Sequence, residues 1–146
     1  MFERILVPVD GSKHGGRAIE LAIDLTKCHG SSVFLLHVIR DLSLPEEIMA
    51  MIRAGEVTES RMEILQDSAE IILDSARSKF EEAGITAVHS EYVVGDPATK
   101  ILEYAGQNSV DLIVIGHRGL GPNESLLGGV ARKLVNMTKI SVLIVT

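Results

Sequence analysis

Apolar residues in this chain fall into two alternating patterns, short unbroken runs and longer stripes spaced three or four apart. Phe2 to Val9 (FERILVPV), Ser32 to Ile39 (SVFLLHVI), Leu112 to Ile115 (LIVI) and Ser141 to Val145 (SVLIV) are runs. A strand covered on both faces needs apolar side chains at successive positions, so each run predicts a buried strand. Ala87 to Val94 predicts a further strand, but His89, Ser90 and Glu91 mix polar residues into it, which suits a sheet edge.

The stripes predict the helices between these strands. Ala18, Leu21, Ala22 and Leu25 repeat at helical spacing after a turn-and-cap sequence, Asp10-Gly11-Ser12, and Gly30 is placed to stop the helix. Met62, Leu65, Ala69, Ile72, Ala76, Phe80 and Ala83 predict a longer helix ending at Gly84. Asp96 as N-cap and Pro97 at the first helical position open a third helix carrying Ala98, Ile101, Leu102 and Ala105. A last helix is predicted from Ser125 to Met137, burying Leu127, Val130, Ala131 and Leu134. Residues 41–60 have the weakest pattern, with a short turn at Ile48, Met51 and Ile52 interrupted by Gly55 and a lid-like role suggested by their methionines. Strands alternating with helices imply a parallel α/β sheet with helices on both faces, joined by right-handed crossovers.

Composition narrows the partners. The 146 residues suit one domain, 1–146, and the formal charge of −6 argues against general affinity for nucleic acid. With three Phe, two Tyr and no Trp, a base-stacking platform is not expected. Cys28 has no partner for an internal disulfide and reads as a packed or partly exposed thiol. No stretch reaches the roughly 18 apolar residues of a membrane span, and no signal peptide is evident, so a soluble cytoplasmic protein is expected.

The candidate chemistry lies in DLIVIGHRGLGPNESLLGGVAR, Asp111 to Arg132, where a strand stops at Gly116 and a glycine-rich loop leads into a helix. Backbone N–H groups at Gly128 and Gly129, backed by the helix dipole, are expected to cradle a phosphate. Neither the phosphate-loop motif GxxxxGK[ST] nor the dinucleotide motif GxGxxG is present. His37 reads as a buried hydrogen-bonded histidine, because no nucleophile is placed beside it. His117 reads as an exposed loop residue, and His14 and His29 lack partners at metal-ligand spacing.

The whole chain resembles the universal stress protein (UspA-like) family, through ILVPVDGS at the start, LLHVI, VVGDPATKI, the DLIVIGHRG turn and the closing SVLIV. The resemblance implies a five-stranded parallel sheet of order 3-2-1-4-5, a Rossmann-like fold of the adenine nucleotide alpha hydrolase type. One branch of the family binds ATP through Gly, two residues, Gly, nine residues, then Gly and Ser or Thr; another lacks the pattern and does not bind ATP. Here Gly116 and Gly119 fit, and the count of nine leads to Gly129 followed by Val130. Aligning on LLGGVA instead uses Gly128, with Gly129 and Ala131 at the hydroxyl positions. Both alignments lose the Ser or Thr, and two lost hydrogen bonds weaken binding by roughly tenfold to a few hundredfold.

By this resemblance the adenosine end meets Pro8, Val9, Asp10 and Val38, and the phosphates meet Gly116, Gly119 and the turn Gly128, Gly129, Val130 and Ala131, beside the strand-end residue Ile115. Arg118 is an added candidate, since a guanidinium in the loop can replace lost hydroxyl contacts, and Asp10 also suits helix capping. The implied cofactor is ATP, with Mg as its companion, and the implied role is that of a stress sensor or regulator with at most slow ATPase activity. The apolar final strand, Ser141 to Val145, lies at an edge in this topology and invites a homodimer by antiparallel pairing. A dimeric interaction protein from the branch without nucleotide is the alternative. A phospho-accepting receiver domain is set aside, because the third strand does not end in aspartate and the fifth does not end in lysine.

Overall fold

Ile5, Leu6 and Val7 have no solvent exposure, and the strand that carries them, β1 (Arg4–Pro8), is the central strand of the molecule. The structure is a computed structural model that describes residues 1–40, 59–117 and 127–146. In chain order the elements are β1, α1 (Lys13–His29), β2 (Ser32–Arg40), α2 (Glu59–Glu82), β3 (Val88–Gly95), α3 (Pro97–Gln107), β4 (Leu112–Gly116), α4 (Gly129–Met137) and β5 (Ser141–Val145). All four strand pairs are parallel, and the order across the sheet is β3-β2-β1-β4-β5, as expected.

Alternation along each strand divides the core in two. Ile5, Val7, Val33, Leu35, Leu112 and Val114 face α1 and α2, while Leu6, Phe34, Leu36, Ile113 and Ile115 face α3 and α4. Burying each of these side chains contributes about 1.5–3 kcal/mol, so the central strands hold both helical layers. The polar residues His89, Ser90 and Glu91 are exposed on the edge strand β3, where the sequence placed them.

The helix ends follow from local chemistry. Ser12 is the N-cap of α1, its hydroxyl accepting from Gly15 N–H at 3.1 Å, and Gly30 ends the helix in the left-handed conformation at φ 66°. Asp96 caps α3 by accepting from Thr99 N–H, with Pro97 just inside the helix.

Three stripe assignments need correction. In α1 the buried positions include Ile19 and Thr26, with Leu21 and Leu25 only half-buried; the Thr26 hydroxyl is satisfied within the helix by donating to Ala22 O. In α2 Leu73 is buried and Met62 is 41% exposed, because the first turns of this helix reach past the sheet, where Leu65 and Ser68 meet the crevice described below. The last helix begins at Gly129, not Ser125. Gly128 is extended, with φ −60° and ψ 154°, and its N–H donates to His117 O at 2.8 Å instead of entering the helix. The short turn expected at Ile48, Met51 and Ile52, and any lid there, lie outside the described residues.

Candidate functional site

The strand order reverses at β1, since β2 and β3 lie to one side of it and β4 and β5 to the other. Connections leaving β1 and β4 therefore diverge, opening a crevice beyond their carboxyl ends. A crevice of about 540 Å³ lies there, within the ~300–1,000 Å³ usual for small-molecule sites. One wall is the β1–α1 turn (Pro8, Val9 and Asp10), another the end of β2 (Val38), and the floor is the end of β4 (Ile115 and Gly116). The first turn of α4, with Gly128, Gly129, Val130 and Ala131, closes the far side. The sequence-named positions in described residues thus share one cavity. Arg118 and Gly119 lie outside the described residues.

The backbone around this cavity is held by bonds between distant segments. Val9 N–H donates to Leu36 O at 2.9 Å, and His117 N–H donates to Val145 O at 2.7 Å. Asp10 is not the helix cap: its Oδ1 accepts from Ser12 N–H at 2.8 Å, fixing the turn that presents the Ser12 cap. Gly116 has a packing reason for being glycine. A Cβ there would stand 2.7 Å from the backbone carbon of His14 and 2.9 Å from its oxygen, so the end of β4 touches the first turn of α1 directly.

The donors expected for an anion shift by one residue. Gly128 N–H is engaged by His117 O, and Gly128 O accepts the first helical bond, from Arg132 N–H. Among the described residues, the donors left at the helix entrance are those of Gly129, Val130 and Ala131, which line the crevice and share the positive end of the helix dipole. Among the described residues no side chain caps α4, and Ala131 is 2% exposed, so its methyl group is core. Behind this turn Lys133 donates to Asp96 Oδ2 at 2.9 Å, tying α4 to the start of α3. The Lys133 ammonium and the Thr99 hydroxyl and amide hold the Asp96 carboxyl down to about 2.

Several residues that the sequence did not assign to the site also line it. His37 is half-buried, lines the crevice and donates from Nδ1 to Val9 O at 2.7 Å, so it is bonded as expected but not fully buried. His117 is half-buried beside His14, ring centroids 6.1 Å apart, rather than an exposed loop residue. Leu65 and Ser68 arrive from α2. Their positions in a helical stripe give no hint of a cavity, because only docking of that helix brings them there. Cys28 is exposed. Among the described residues no helix is long and apolar enough to cross a membrane.

The model of the universal stress protein family matches residues 1–146. Universal stress protein YxiE of Bacillus subtilis is 34% identical, over 99% of both chains. Among solved structures, the chain is similar to hypothetical protein MJ0577, with 27% identity, 99% and 96% coverage and a TM-score of 0.83. It also shares the fold of a universal stress protein crystallised in complex with cAMP, at 24% identity, 99% and 97% coverage and a TM-score of 0.72.

Proposed function

Because this chain belongs to the universal stress protein family, we propose that it binds ATP or a related adenine nucleotide in the crevice between β1, β2, β4 and α4, and acts as a sensor or regulator. The observation that carries this reading is the helix entrance at Gly129–Ala131, where three successive N–H groups meet the crevice at the positive end of a helix dipole. The base end has a complement. Ser32 N–H donates to Glu3 O and Leu36 O accepts from Val9, so even-numbered residues of β2 turn their backbone polar groups toward β1. Val38 belongs to that set but lies beyond the last residue paired with β1. Its N–H and C=O therefore offer a donor and an acceptor to a planar ring edge. The fold neighbour bound to cAMP supports an adenine nucleotide as the ligand class. Any Mg would arrive on the triphosphate, since no group of three or more His, Cys, Asp or Glu is poised for a metal among the described residues.

Further parts of the proposal are a cytoplasmic location and a homodimer formed by the edge strand β5. Residue 145 turns its carbonyl to His117 N–H on the β4 side, which leaves the backbone groups of Val142 and Ile144 facing outward.

Thermal unfolding with and without millimolar Mg-ATP tests the ligand, with calorimetric titration across ATP, ADP and AMP to rank them. Ligand at a hundred times Kd stabilises by about 2.7 kcal/mol, a rise in Tm of roughly 5–10 °C for a chain of this size. One observation favours the rival, a dimeric interaction protein without nucleotide: Val130 and Ala131 supply no hydroxyl to the anion corner. An unchanged Tm and no saturable heat with any adenylate would establish that rival.

A further inference from the structure

The β1–β2 ladder stops one rung early, and a side chain stands at the missing rung. In a parallel pair, the residue that donates to one strand accepts from the same strand two residues on. Val9 N–H donates to Leu36 O, so the next rung would join Val38 N–H to Val9 C=O. Instead the His37 ring sits on that oxygen, Nδ1 to O at 2.7 Å. Among the described residues Val38 N–H has no backbone acceptor. Its other neighbour, β3, is served by the odd-numbered residues of β2, beginning with Val33 N–H to Ala87 O.

We propose that His37 is a positioning residue: by engaging the Val9 carbonyl it keeps the Val38 N–H out of the sheet ladder and available to a ligand's ring edge. The inference rests on the adenine nucleotide reading and names how the base end of that site is kept open. A carbonyl only accepts, so Nδ1 carries the hydrogen. The same bond fixes the Val9 carbonyl just before Asp10, whose carboxylate shapes the turn on the opposite wall. A buried backbone donor without a partner is unfavourable. Val38 is half-buried and lines the crevice, so its N–H is not sealed inside the core.

The test compares wild type with His37→Leu, which cannot donate, and His37→Asn, whose side-chain amide can donate from near the position of Nδ1. In protein without nucleotide, the Val38 amide should exchange its hydrogen faster than that of Leu36. It should become protected in His37→Leu, as the missing rung forms, and stay fast in His37→Asn. In titrations, His37→Leu should weaken AMP by about three- to tenfold, the loss of one hydrogen bond, and leave inorganic tripolyphosphate unchanged. His37→Asn should restore most of the AMP affinity. Strong protection of Val38 in the wild type overturns the inference without any variant. So does equal weakening of AMP and tripolyphosphate, which would mark His37 as a support of the fold alone. If wild type binds no adenylate, the proposed function falls, while exchange at Val38 still decides whether His37 holds the amide out of the ladder.

Discussion

Replacing Gly116 with alanine would press a methyl group against the backbone of His14, and the size of the effect follows from the contacts. The added carbon would lie 2.7 Å from His14 C, 2.9 Å from its O and 2.9 Å from its Cβ. Two of these are main-chain atoms in the first turn of α1, so no flexible side chain can swing aside. Either α1 or the end of β4 must move. Overpacking of this kind costs about 1–3 kcal/mol. Gly116 does not have a positive φ, so alanine also gains about 0.4–1 kcal/mol by restricting the unfolded chain. Three contacts below 3.0 Å, two of them to main chain, place the overpacking cost in the upper part of its range, about 2–3 kcal/mol. The net is a loss of about 1–2.5 kcal/mol, which for a chain of this length lowers Tm by roughly 2–10 °C. Gly16→Ala is the matched control: it lies inside α1 and a Cβ there meets nothing within 4 Å. That change should stabilise by about 0.5–1 kcal/mol, because alanine is the better helix former. Calorimetry or urea denaturation of both variants measures the difference. A Gly116→Ala protein as stable as wild type would show that strand end and helix are not in rigid contact, and the reasoning would fail.

Three other outcomes are expected. The Lys133 ammonium and the Thr99 hydroxyl and amide hold the Asp96 carboxyl down to about 2, against its ordinary 3.8, so its contribution to stability is complete above the higher figure and is lost as pH falls through the lower. Asp96→Asn should therefore melt below wild type at neutral pH, with the gap closing between about 4 and 2; a gap independent of pH would assign its origin to something other than this charge. Val142→Pro removes an outward N–H of β5 while sparing the groups that pair with β4, so light scattering should find a dimer in the wild type and a monomer in the variant. A variant that stays dimeric would move the interface elsewhere. Val130→Thr restores a hydroxyl at the crevice on a half-buried side chain of similar shape, and should tighten ATP by about two- to tenfold in a calorimetric titration; unchanged affinity would mean the phosphates do not reach that residue.

Much of the architecture was written in local patterns. The unbroken runs at Leu112–Ile115 and Ser32–Ile39 demanded two apolar faces, and the structure covers both faces of β2 and β4 with helices. The polar mixture at His89–Glu91 marked an edge, and Asp96-Pro97 marked a helix start, because burial and capping act within a few residues. The glycine pattern likewise singled out segments that line one crevice. Its detail was less legible. Gly128 N–H, read from sequence as an anion donor, is taken by His117 O, and Gly116 is small because of His14 rather than because of a ligand.

The order of apolar and polar residues by itself determined the elements, their two-sided burial and the region where strands give way to glycine turns. Only the tertiary structure decided which hydrogen-bonding groups those turns leave free. The rung missing between Val9 and Val38 depends on the register of two strands and on a histidine ring that replaces one bond of the ladder. Spacing along the chain encodes which face a side chain takes. It does not encode the partner of a backbone N–H whose neighbour lies almost thirty residues away, because that partner exists only once the sheet has closed.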